Sequence, residues 1–140
     1  MTYNLLLRSK QRSYKGNNVE LLSGRLDYRD YINYIASSKA VIIIYPEDYV
    51  MRFSGYFMDS FYCQRPIIIT NSKLSKYLKS EYPNSVYVIN QISEIFEFLT
   101  NREISFDNAE YNKFLEKHSL EETSIQITKL MNQIGKLRET

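Results

Sequence analysis

Two short runs constrain this chain more than any other feature: Ala40-Val41-Ile42-Ile43-Ile44-Tyr45 and Pro66-Ile67-Ile68-Ile69-Thr70. Both are unbroken, apolar and rich in β-branched residues. A strand with one wet face alternates apolar and polar positions. A strand with no polar position is buried on both faces, as in a parallel sheet covered by helices. Each run is too short for a buried helix, and turn-type residues follow each. Three further runs read as strands: Leu5-Leu6-Leu7, Val19-Glu20-Leu21-Leu22 and Ser85-Val86-Tyr87-Val88-Ile89.

Helical patterns lie between and after them. Asp27 to Ser37 carries Tyr28, Tyr31, Ile32 and Ile35 at spacings of three and four, one apolar stripe. Ser54 to Cys63 reads as a helix with Ser54 as its N-cap. Leu74 to Ser80 stops before Pro83, and Ile92 to Thr100 sets Ile92, Ile95, Phe96 and Leu99 on one face. Phe106 to Lys117 places Tyr111, Phe114 and Leu115 inward. Ser119 and Glu122 then have capping-box spacing and open a last helix striped by Ile127, Leu130, Met131, Ile134 and Leu137. Strand and helix alternate, so the expected fold is α/β and Rossmann-like. Its expected form is a doubly wound, mostly parallel five-stranded sheet with helices on both faces and a C-terminal helical extension. With no linker or repeat, residues 1–140 read as one domain, an α/β core over 1–104 and C-terminal helices over 105–140.

Composition excludes several function classes. The 18 basic and 16 acidic residues nearly cancel, so there is no charge argument for nucleic acid. One cysteine, Cys63, permits no internal disulfide, and a reducing cytoplasm is the expected location. No apolar run approaches the roughly 20 residues of a membrane span. The triplet Lys73, Lys76 and Lys79 reads as a solvated helix face, and membrane association has no other support. Neither a D-x-D triplet, a GxGxxG nor a P-loop occurs. His118 is the sole histidine and lacks ligand or triad partners, so it reads as structural. Cys63 reads as a core thiol.

In open α/β sheets ligands bind beyond the carboxyl ends of the strands. The richest loop there is "YPEDYVMRFSGYFMD", residues 45–59. Ser54-Gly55 opens a helix, whose free N–H groups and dipole suit phosphate. Gly55 permits close backbone approach. Arg52 offers a forked donor, and Asp59, one turn on, offers an acceptor for paired hydroxyls. The same residues also fit a plain connection, with Ser54 a cap, Arg52 solvated and Asp59 complementing the helix dipole.

The order Gly24-Arg25-Leu26-Asp27-Tyr28, a Tyr-rich helix, AVIIIYP and RFSGYFMDSFYCQRPIII resembles the C-terminal, donor-binding half of a GT-B fold glycosyltransferase. The resemblance runs from about Val19 to Ile69, and more loosely to the C-terminus through Phe114 to Ser119. It implies a nucleotide-diphosphate sugar as donor substrate, with no cofactor and no metal. It places Asp59 on the ribose hydroxyls, and Ser54 and Gly55 near the diphosphate or sugar. Gly24, Arg25 and Leu26 fall in the loop lining the nucleobase. Thr70, Asn71 and Ser72 face the sugar, and Arg8 and Lys10 are candidate phosphate contacts.

The chain departs from the pattern at three points. Met51 stands where many relatives have a second Glu, and Gln64 stands for the usual Gly before Arg65-Pro66. The family's acceptor domain, which supplies the catalytic base, has no counterpart here. A missing domain or partner polypeptide is therefore implied, and no turnover is expected from these 140 residues alone. The alternative is a non-catalytic α/β module that assembles through its Tyr-rich faces and last helix, as an oligomer or a subunit of a larger complex. A phosphoacceptor receiver domain fits poorly, because Arg8 and Lys10 stand where its acidic cluster belongs.

Overall fold

The computed structural model describes residues 5–9, 14–16, 18–47 and 55–138. The chain is α/β. In order it forms β1 (Leu5–Ser9), β2 (Tyr14–Lys15), β3 (Val19–Ser23), α1 (Tyr28–Ser37), β4 (Val41–Ile43), α2 (Gly55–Tyr62) and β5 (Ile67–Thr70). Then follow α3 (Lys73–Glu81), β6 (Val86–Ile89), α4 (Glu94–Asn101), α5 (Asn108–Lys117) and α6 (Leu120–Arg138).

The β-branched runs form a parallel sheet in the order β4-β5-β6. Its central strand is sealed on both faces, with Ile67, Ile68 and Ile69 all 0% exposed. The period of two then splits the core. Ile67 and Ile69 pack with Ile43, Phe57, Phe61, Leu74, Leu78 and Phe114, so α2, α3 and α5 cover one face. Ile68 packs with Ile89, Ile95, Phe98 and Ile104, which puts α4 on the other.

Among the described residues no single five-stranded sheet is seen; the strands make two three-stranded sheets, β1-β3-β2 and β4-β5-β6. β3 pairs in parallel with β1 along one edge, from Leu5 opposite Val19 to Ser9 opposite Ser23. Its other edge is taken by β2, antiparallel, with Tyr14 opposite Leu21 and Lys15 opposite Glu20. Both edges of β3 are thus occupied, while among the described residues β4 pairs only with β5, so no ladder joins the two sheets. The two residues of β2 carry no run or alternation of their own.

Side chains tie the elements together where the backbone ladder ends. The Thr70 hydroxyl accepts from the Tyr45 N–H and donates to the Tyr45 carbonyl, both at 2.8 Å, which extends the β4–β5 contact past the last ladder pair. Glu110 on α5 is buried, and its two carboxylate oxygens accept the N–H groups of Asn84 and Ser85 at 2.8 and 2.9 Å. A buried charge is tolerated when both oxygens are satisfied in this way. Asp107 caps α5 through the N–H groups of Ala109 and Glu110. Lys117 donates to Tyr77 and Glu81, each at 2.9 Å, joining α5 to α3.

The terminal helices differ from the pattern-based expectation. Phe114 is buried and Tyr111 half-buried, but Leu115 is exposed. Along α6, Leu120 is 91% exposed and Ile127, Leu130 and Met131 are exposed as well. On α4, Phe98 rather than Phe96 turns inward beside Ile95, and Ile92 and Phe96 face outward.

Helix α2 ends with the Arg65 N–H bonded to the Ser60 carbonyl and the Gln64 N–H to the Phe61 carbonyl, both at 2.9 Å, a Schellman closure. Gln64 sits at φ +55°, the left-handed position that glycine occupies without penalty. Gln64→Gly should therefore stabilise the fold by about 0.5–1 kcal/mol, raising Tm by roughly 2–4 °C. An equal or lower Tm in a thermal melt would refute the strain.

At the end of α5, burial and then the Lys117 charge hold the His118 imidazole below its ordinary range. The unfolded chain therefore takes up that proton first. The His118 contribution to stability is complete above the free imidazole value of about 6.5 and is lost as pH falls below it toward the lowered folded value. Melts from pH 7.5 to 5 should show a flatter decline in His118→Gln than in the parent. Identical slopes would assign the decline to carboxylates.

Candidate functional site

Helix α2 has two faces. Phe57 and Phe61 are buried against the sheet, and Gly55, Tyr56 and Asp59 lie around the helix from them. Opposite stands α1, whose Tyr28 and Tyr31 are one turn apart. The segment that delivers α1 leaves β3 through Gly24, at φ +82°, a conformation that disfavours any side chain. Asp27 then caps α1.

These pieces enclose an open cleft of about 400 Å³. Arg25 and Leu26 line it from the turn, Tyr28 and Tyr31 from α1, and Gly55, Tyr56 and Asp59 from α2. It lies where the chain leaves the carboxyl end of β3 and where it re-enters helix after β4. The Tyr31 hydroxyl donates to Asp59 Oδ2 at 3.0 Å across the two helices. Tyr31 also contacts Tyr28 at 6.2 Å and Tyr56 at 6.0 Å between ring centroids. Burial, and then the bond to the Asp59 carboxylate, push the Tyr31 hydroxyl well above the usual phenol range. A hollow of about 490 Å³ along another face of α1 is lined, among the described residues, by that helix alone.

Of the residues singled out in the sequence, Arg25, Leu26, Gly55 and Asp59 meet in this cleft, with Gly24 at its turn. Asn71 and Ser72 do not. Asn71 lies beyond β5 and donates to Asn90 at 3.4 Å. Ser72 is buried as the N-cap of α3, exchanging hydrogen bonds with Ser75. Lys10, Met51, Arg52 and Ser54 lie outside the described residues. Arg8 is in β1 opposite Leu22, and its side chain is outside what the structure describes. Among the described residues no three His, Cys, Asp or Glu side chains are grouped to hold a metal ion, and no helix is long and apolar enough to cross a membrane. Cys63 is half-buried rather than a core thiol, with burial raising its pKa.

Sequence reasoning missed Tyr31 and Tyr56 as parts of the site. Their spacing shows an amphipathic face, but only the packing of α1 on α2 makes that face line a cleft. No family model matches the chain, and no curated protein or solved structure matches it significantly.

Among the described residues, a Cβ placed on Gly55 meets nothing within 4 Å. Gly55→Ala should leave Tm unchanged or raise it, by up to about 1 kcal/mol of stability. A clear drop in Tm would mean that the backbone at this position departs from helix.

Proposed function

We propose that this chain is the nucleotide-sugar-binding half of a metal-independent glycosyltransferase of GT-B type, holding the donor's ribose and diphosphate. The observation that carries the reading is convergence. Arg25 and Leu26, from the turn after β3, share one cleft with Gly55 and Asp59 of α2, and the family resemblance assigns these positions to the nucleobase, the diphosphate and the ribose. Among the described residues nothing approaches within 4 Å of a Cβ built on Gly55, which suits a ligand pressed against the backbone. The N–H groups at the start of α2 would take the diphosphate and stabilise it as the leaving group. Asp59 would accept the ribose hydroxyls. The absence of a D-x-D triplet from the sequence supports a mechanism without a metal bridge. A second domain or polypeptide would bring the acceptor and the base.

The test is a panel of nucleoside diphosphates followed by thermal shift and calorimetry. Half of a two-domain cleft should bind at roughly 0.1–1 mM, about 4–5.5 kcal/mol, and raise Tm by mass action. Asp59→Asn should weaken binding at least about tenfold, the value of a charged hydrogen bond. Gly55→Ala should weaken it without loss of Tm. No shift with any diphosphate at concentrations about tenfold above that range would reject the reading.

A second reading is favoured by the exposed apolar residues of α6. Leu120, Ile127, Leu130 and Met131 fit a module whose work is assembly. Light scattering of the purified chain separates the two. Stable oligomers that dissociate in Leu130→Asp, together with no diphosphate binding, would favour assembly.

A further inference from the structure

An aspartate on an exposed helix face samples several rotamers, and ordering it on binding costs entropy. A carboxylate that must accept from two adjacent hydroxyls binds better when it is already fixed. The structure contains a device for this. Tyr31 reaches from α1 and donates to Oδ2 of Asp59 at 3.0 Å. Among the described residues, no hydrogen bond is seen to Oδ1 of this cleft-lining aspartate. The Tyr31 ring packs tilted against Tyr28 and edge-on to Tyr56, and these rings line the same cleft.

We infer that Tyr31 is a positioning residue, which locks the Asp59 carboxylate so that the cleft selects ligands with paired ribose hydroxyls over those lacking them. This rests on the nucleotide reading above and adds a residue and a selectivity to it. The Tyr31 hydroxyl stays protonated far above neutral pH, so it remains a donor to the carboxylate. Its work is done through Asp59, and it need not touch the ligand.

The test compares the parent chain, Tyr31→Phe, Asp59→Asn and the double variant by calorimetry. The probes are uridine, guanosine and adenosine diphosphates, each with its 2′,3′-dideoxy analogue. The parent should prefer the ribose form about tenfold. Tyr31→Phe keeps the ring and should lower ribose-form affinity about fivefold or more while moving the dideoxy form less than about twofold, so the preference collapses. In the Asp59→Asn background, Tyr31→Phe should add nothing. If Tyr31→Phe weakens both forms equally, or its effect adds to that of Asp59→Asn, Tyr31 is only a latch between helices and the inference falls. A preference that survives Tyr31→Phe also overturns it while leaving the nucleotide reading standing. A parent chain that binds none of the diphosphates overturns both.

Discussion

The structure depends on one aromatic cluster. Phe57 and Phe61 of α2, Tyr82 at the end of α3 and Phe114 of α5 meet over the β4-β5-β6 sheet, with ring centroids 4.7–6.3 Å apart. All four are essentially fully buried. Each such side chain contributes about 1.5–3 kcal/mol from burial alone, with a smaller gain from ring geometry. Three helices from three parts of the sequence are fixed by these contacts. Glu110 adds direction: its carboxylate clamps the backbone entering β6 and so sets α5 against the sheet.

The candidate site follows from that cluster. Because Phe57 and Phe61 anchor one side of α2, Gly55 and Asp59 are held on the other. A site built on a core helix is set more precisely than one built on a loop. The partner wall is less firmly held. Helix α1 carries one buried side chain, Ile35, and meets α2 through tyrosines and the Tyr31–Asp59 bond. That bond is therefore part of the cleft and one of the contacts by which α1 meets α2.

Much of the fold was legible because burial on two faces leaves a plain signature. The unbroken runs at Ala40–Tyr45 and Pro66–Thr70 mark strands of a parallel sheet; β5 is sealed on both faces, while β4, at the edge, is buried at Ile43 only and its run ends on the exposed Ile44. Ser72 shows the opposite case. At a strand–helix junction it fits a ligand contact and a helix cap equally well, and the bond to Ser75 makes it a cap. Gln64 is an informative exception: the chain demands a left-handed residue there, and the resemblance expected glycine. The position survives because the two Schellman bonds fix the turn despite the side chain.

The sequence by itself determined the order of strands and helices apart from β2, and the two-faced burial of β5. Those are local properties, set by periodicity, capping and backbone preference within a few residues. The candidates Arg25, Leu26, Gly55 and Asp59 came from their loop positions and from the family resemblance. The tertiary structure decided the rest. It divided the described strands into two sheets, because which strand edges meet is a pairing between segments far apart in the chain, as Val41 opposite Ile67 shows. It left Leu120, Ile127, Leu130 and Met131 of α6 exposed. It also brought Tyr31 to Asp59, twenty-eight residues away. Such a contact depends on how two helices pack, and no window of sequence records that.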